Sequence, residues 1–234
     1  SATITVAPTE PDDDDDDPPP PPSSFSPDFA YAFPNSRSSF SPSSNYRIPA
    51  ERYMQLGFTQ VQAEYLVENW GGSCFGMSLS SVLFYKGTLQ EEKYDSNIHI
   101  PHDFPAPDDD SVNETKLRSM IELLQISQSM PAGTPGGTRY DERTFDPAAV
   151  AEQLDAGNPV GFGMRDTYGR GYHEVVIYQY SRSGSVYEFD IYDCSGFVNH
   201  LSYTDSSHYT FTYNNNYYNW APLDYCRYDA MMEK

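Results

Sequence analysis

Apolar residues recur at helical spacing through the first two thirds of the folded chain and alternate with polar ones in the last third. Pro49-Ala50-Glu51 opens a predicted helix, with proline in the first turn. A second begins at Thr59, carries Val61, Tyr65 and Leu66 on one side, and ends near Asn69, ahead of Gly71-Gly72. From Cys74 to Lys86, Phe75, Leu79, Val82 and Leu83 recur at helical spacing, and Met77 and Phe84 add apolar surface elsewhere. That predicts a helix buried on much of its circumference, ended by Gly87. Pro and Asp dominate residues 95–110, read as loop. Ser111-Val112-Asn113-Glu114 is a capping box ahead of Leu117, Met120, Ile121 and Leu124. After a glycine-rich loop through Gly137, Asp146-Pro147 caps and starts a further helix, which Gly157 stops.

From Pro159 onward the pattern is that of strands: Val160–Met164, His173–Tyr180, Val186–Asp193 and His208–Tyr213. Helices followed by antiparallel strands define the α+β class. Taking Ser181–Ser185 as a five-residue loop sets Tyr180 opposite Val186 and His173 opposite Asp193. In that register Val175, Ile177, Phe189 and Ile191 share one core face. Directly opposed Cβ atoms lie about 4.5–5.5 Å apart, which suits an imidazole–carboxylate hydrogen bond.

Composition divides the chain further. Residues 1–22 are low in complexity and end in Asp12–Asp17 and Pro18–Pro22, the makings of an extended acidic, proline-rich spacer. Such a spacer implies attachment to a larger assembly through a flanking region. Residues 23–48 are rich in Ser and Pro yet carry Phe25, Phe29, Tyr31, Phe33, Phe40 and Tyr46. They are expected to take an irregular course over the surface of the domain. A sharper alternative has them crossing an active-site cleft as an inhibitory segment. Residues 49–234 then hold the main domain. Lys and Arg total 14 against 34 Asp and Glu, for a formal charge of −20. With no basic patch to neutralise phosphates, nucleic acid is excluded as a partner, and an anionic membrane surface is disfavoured. No apolar run reaches the length of a membrane span, so no membrane insertion is expected. Numbering starts at Ser1, compatible with removal of a leader.

The candidate chemistry lies in Gly71-Gly72-Ser73-Cys74 and, about a hundred residues later, Tyr172-His173-Glu174. A thiol at a helix N-terminus is acidified by unpaired N–H groups and the helix dipole. A histidine at a sheet edge can meet it and hold a thiolate–imidazolium pair, with Asp193 orienting the ring. Read alone, His173 is a structural histidine and Asp193 a turn cap; the joint pattern favours a nucleophilic site. With Cys74 as nucleophile, Cys194 and Cys226 remain as candidates for a disulfide. His99 and His102 lie near Asp103 and Asp108–Asp110, but the spacing fits no standard metal site and reads as a solvated loop. No metal or organic cofactor is implied.

Three stretches carry a resemblance: Gly72-Ser73-Cys74-Phe75-Gly76-Met77, Gly171-Tyr172-His173-Glu174-Val175-Val176-Ile177-Tyr178, and Ile191-Tyr192-Asp193. Together they resemble the papain-like cysteine peptidases, of the divergent kind found in secreted bacterial proteins. The resemblance implies two lobes, one helical with Cys74 on its central helix and one antiparallel β lobe bearing His173. It further implies Cys74 as nucleophile, His173 as general base, Asp193 as the third member, and peptide or protein substrates. That family uses a Gln just upstream of the Cys at the oxyanion. Here Glu68 and Asn69 stand there, and of the two only Asn69 offers an amide donor. The export that the resemblance suggests, to the outside of the cell or its surface, agrees with a chain holding one reactive thiol and one bridge.

A competing resemblance is Asp193-Cys194-Ser195-Gly196-Phe197-Val198, similar to the nucleophile motif of the NlpC/P60 cell-wall peptidases. Only 40 residues follow Cys194, and no helical apolar period follows Gly196. Two other readings use the same residues. A transglutaminase-like acyl transferase shares the Cys–His–Asp logic but usually carries an aromatic two residues after the His, where Val175 stands. An inactive binding or adhesion domain is suggested by the spacer and by Tyr217-Tyr218, and disfavoured by the intact triad.

Overall fold

A computed structural model describes residues 24–43, 45–129, 146–166, 172–196, 200–203, 211–213 and 219–227. The expected spacer at 1–22, the loop through Gly137, and Tyr217-Tyr218 lie outside the described residues.

Among the described residues, five α-helices precede six strands: α1 Ala50–Gln55, α2 Gln60–Glu68, α3 Cys74–Tyr85, α4 Val112–Ser127, α5 Pro147–Asp155, β1 Val160–Asp166, β2 Tyr172–Ser183, β3 Val186–Tyr192, β4 His200–Tyr203, β5 Phe211–Tyr213 and β6 Asn219–Arg227. The chain is α+β, as the pattern requires. Thr59 and Gln62 close a reciprocal capping box on α2, Ser111 accepts from Glu114 N–H at α4, and Asp146 accepts from Ala148 and Ala149 at α5.

α3 is the central element. Of its twelve residues, only Cys74 and Leu83 are not fully buried. α4 lies against it so closely at Gly76 that a β-carbon there would stand 2.3 Å from the Ile121 carbonyl oxygen. α3 also lies on β2, and Val176 of β2 and Tyr192 of β3 join its apolar cluster.

The segment expected to run over the surface is part of this core. Phe25, Phe29, Tyr31, Phe33 and Phe40 are all buried and share one cluster with α3. Tyr31 Oη and Ser80 Oγ are hydrogen-bonded at 2.8 Å, and the Phe25 ring meets Tyr85 edge-on with centroids 5.6 Å apart. Aromatic side chains of this size bury too much surface to be left on an exterior. On α2 the expected apolar side is reversed: Val61 and Tyr65 are exposed, and Ala63 is fully buried beside partly buried Leu66 and Val67.

The strands form one antiparallel sheet in the order β1-β2-β3-β4-β5-β6, closed by pairing of β6 with β1. The β2–β3 register differs from the expected one. Ser183 pairs with Val186, leaving only Gly184-Ser185 in the turn, and a bulge interrupts the ladder between Ile177 and Gln179. Beyond it Ile177 faces Ile191 and Val176 faces Tyr192. The expected face survives, because the bulge restores the parity: Val175, Ile177, Phe189 and Ile191 share one buried cluster with α5. β4 and β6 were not in the sequence pattern. β4 has only four residues, and β6 contains Pro222, which sits where the β1–β6 register shifts, the position a sheet tolerates for proline.

Candidate active site

The N-terminus of α3 presents Cys74, and each backbone donor of that first turn can be traced. Ser73 N–H donates to Asn35 Oδ1 at 2.8 Å. Phe75 N–H, together with Glu174 N–H from β2, donates to the Cys74 sulfur. Gly76 N–H donates to Gln125 Oε1 of α4 at 2.9 Å, and Met77 N–H makes the first helical bond, to the Ser73 carbonyl. Cys74 N–H meets no acceptor among the described residues. The Ser73 side chain makes no cap bond of its own.

His173 lies near the start of β2 and Asp193 just past the end of β3. In the observed register they are not opposed, since Asp193 continues the strand toward Val175. The imidazole nevertheless reaches across the diagonal, a span open to an aromatic side chain. Its Nε2 lies 2.7 Å from Asp193 Oδ1. The Asp193 carboxylate is fully buried; it also accepts Ser195 N–H at 2.8 Å, while the Asp193 carbonyl accepts Gly196 N–H. Asp193 thus both caps a turn and holds the ring. With Nε2 donating to Asp193, Nδ1 is the ring nitrogen available to the Cys74 sulfur, to which His173 is hydrogen-bonded.

The electrostatics follow from these contacts. Burial pushes the Cys74 thiol up, but the His173 hydrogen bond and charge and the two backbone N–H donors outweigh it and bring its pKa below 9.0. Burial pulls the His173 imidazole down, and the Asp193 and Cys74 bonds reverse this, raising it to about 10. Both shifts favour the thiolate–imidazolium pair. Cys74 as a whole residue is partly exposed.

Cys194 is a different kind of thiol. It is buried and free, and its Sγ contacts the Cys74 carbonyl oxygen at 3.9 Å. Burial, followed by the neighbouring Cys74 and Asp193 charges, raises its pKa well above 9.0 and keeps it protonated. The candidate Cys194–Cys226 bridge is therefore not formed: Cys194 turns toward α3, while Cys226 lies in β6 opposite Gly161 of β1. The protonated, enclosed Cys194 also lacks what the competing motif requires of a nucleophile.

Asn69 is not brought to the site. It is exposed at the C-terminus of α2, and its side-chain nitrogen donates to the Tyr65 carbonyl of its own helix at 2.8 Å. The amide next to α3 is that of Asn35, from the N-terminal segment, whose Oδ1 accepts Ser73 N–H. Asn35 N–H donates to the Cys194 carbonyl at 2.7 Å, so Asn35 ties the loop after Asp193 to the loop before Cys74. Only one feature of the sequence hinted at this, a short amide side chain between the core aromatics Phe33 and Phe40.

Elsewhere, His99 contacts Glu92 and His102 contacts the Ala30 carbonyl. Among the described residues no group of three His, Cys, Asp or Glu side chains could hold a metal ion. Among them, too, no helix is long and apolar enough to cross a membrane. No family model, curated protein or solved structure matches the chain.

Proposed function

We propose that this protein is a cysteine peptidase of papain-like architecture, working outside the cell or at its surface on peptide or protein substrates. The observation that carries the reading is the Cys74–His173–Asp193 arrangement: a thiol acidified at a helix N-terminus, an imidazole whose pKa is raised to about 10, and a buried carboxylate 2.7 Å from that imidazole. Helices bearing the thiol and an antiparallel sheet bearing the imidazole agree with a two-lobe layout.

In the proposed reaction the Cys74 sulfur bonds to the substrate carbonyl carbon, and the C=O π pair moves onto oxygen. Collapse of that oxyanion breaks the C–N bond. His173 Nδ1–H gives its proton to the departing amine, leaving a thioester on Cys74 and a neutral imidazole. The imidazole then takes a proton from water as the water oxygen attacks the thioester, and the sulfur departs as thiolate. Asp193 holds the ring and stabilises its charge throughout.

The test is cleavage of a diverse peptide mixture by the wild type and by Cys74→Ala, with a thiol-reactive probe on both. New peptide termini made only by the wild type support the reading. Probe labelling of Cys74 with no new termini, but with a labelled amine joined to glutamine side chains, would instead establish the acyl transferase. No labelling of folded wild type would leave a binding or adhesion domain.

A further inference from the structure

We infer that the side-chain amide of Asn35 is an oxyanion donor for Cys74, acting with the Cys74 N–H; this rests on Cys74 being the nucleophile proposed above. The hydrogen-bond inventory points to it. At the start of α3, the N–H groups of Ser73, Phe75 and Gly76 are all taken, and that of Cys74 is not. An oxyanion formed on a carbon bonded to the Cys74 sulfur lies beside that free N–H and needs a second donor.

Asn35 supplies one whose orientation is fixed. Ser73 N–H can be met only by an oxygen, so the acceptor end of the Asn35 amide faces Ser73 and Nδ2 is turned the other way. That nitrogen lies against Gly72, two residues ahead of Cys74: a β-carbon on Gly72 would stand 2.8 Å from it. Gly72 has φ +146°, a backbone that disfavours any side chain there, and its bare α-carbon is what lets the amide lie so close. Asn35 Nδ2 has no hydrogen-bond partner among the described residues. Asn35 and Cys74 are both only partly buried. The residue is also held in advance, through its own N–H to the Cys194 carbonyl and through buried Phe33 two residues earlier. A donor fixed before the reaction costs no reorganisation when charge develops. Asn69 cannot compete, being committed to the Tyr65 carbonyl.

Two reactions at the same sulfur separate this role from a merely structural one. p-Nitrophenyl acetate acylates a thiolate through a tetrahedral oxyanion: the C–S bond forms, the carbonyl pair moves to oxygen, and its return expels p-nitrophenolate. Iodoacetamide alkylates the thiolate by displacing iodide and forms no oxyanion. Both consume the thiolate, so their rate ratio cancels any change in its ionised fraction. The variants are Asn35→Ala and Asn35→Asp; the latter keeps an acceptor for Ser73 N–H and guards against a folding defect.

The acylation-to-alkylation ratio is expected to fall about 10²-fold or more in both variants. Gly72→Ala, which displaces the amide while retaining it, should lower the ratio in the same direction. An unchanged ratio overturns the assignment; if both rates fall together, Asn35 is only a clamp between the two loops. Wild-type Cys74 that is alkylated but not acylated overturns it as well. Wild-type Cys74 inert to both reagents would remove the nucleophile and the assignment together. Acylation that depends on Asn35, in a protein that cleaves no peptide, would sink the peptidase reading and leave the oxyanion donor standing.

Discussion

Gly76 of α3 and Ile121 of α4 meet backbone to backbone, with 2.3 Å between the Ile121 carbonyl oxygen and the place a β-carbon on Gly76 would occupy. The Gln125 backbone nitrogen would be 2.9 Å from the same carbon, so no side-chain rotation can make room. Gly76→Ala must therefore separate two helices that are packed along their length. It is expected to cost about 3 kcal/mol, the upper range for overpacking in a well-filled core. A shift of the urea midpoint at constant m-value would measure it, and a shift smaller than about 0.5 kcal/mol would contradict the packing.

Removing the carboxylate from the site should separate charge from placement. Asp193→Asn keeps an oxygen to accept from His173 Nε2–H and Ser195 N–H but deletes the charge. The imidazole pKa should then fall from about 10, and the alkaline limb of any Cys74-dependent reaction should move down with it. Asp193→Ala removes both functions and should lower turnover by at least about 10²-fold. An alkaline limb that stays in place in Asp193→Asn would show that another group holds the imidazole.

The paired shifts also predict the pH profile. Alkylation of Cys74 should remain fast below pH 9.0, the ordinary thiol value, because His173 favours the ionised sulfur. Hydrolysis needs the imidazolium as well, and should decline as pH passes about 10. For stability the two linkages have opposite signs. Raised His173 makes the folded state lose stability from pH 6.5 to about 10, and lowered Cys74 makes it gain stability up to pH 9.0. The two contributions oppose each other up to pH 9.0, and above it only the loss from His173 remains. The stability of wild type relative to a Cys74→Ala, His173→Ala double variant should therefore fall between pH 9.0 and about 10, and a difference that rises there would contradict the pair.

A second buried carboxylate is structural. Glu122 of α4 is accepted into the helical core by Tyr46 Oη and by Arg52 Nε at 3.0 Å. Burial pushes its pKa up to about 7, while the guanidinium makes the charged form more tolerable. Arg52→Ala strands this group without its cation and should cost about 2–3 kcal/mol, less than a fully enclosed pair would, since Arg52 is partly exposed. Arg52→Ala combined with Glu122→Gln should recover most of the loss. A double variant no more stable than the single one would mean that Glu122 enters the fold uncharged.

What the sequence disclosed was governed by how local each determinant is. α3 is legible from its apolar spacing, and α4 and α5 from their caps as well, because these determinants lie within a few residues of one another. The face shared by Val175, Ile177, Phe189 and Ile191 is legible from alternation alone, and so is the contact of His173 with Asp193, although a five-residue loop implies a different register from the observed one. The bulge near Tyr178 explains how: it offsets the shorter turn by a whole residue and returns side chains to the expected face. Asn35 and β6 were not legible. Each depends on contacts far along the chain, Asn35 with Ser73 and Cys194, Pro222 with a bulge opposite Met164. The core position of residues 25–40 was hidden by their Ser and Pro content, which describes the turns between the aromatics rather than what the aromatics do.

The seating of Phe25 to Phe40 beneath α3 bears on how such a protein could be switched on. A zymogen is unmasked when a pro-segment is cut away and diffuses off, which requires that the segment be separable from the mature fold. Here, excision of residues 24–48 would strip five aromatic rings from the support of α3 and remove the residue that joins Ser73 to Cys194. Trimming past Ile48 would thus unseat α3, and the stretch is an integral part of the fold rather than a separable cover.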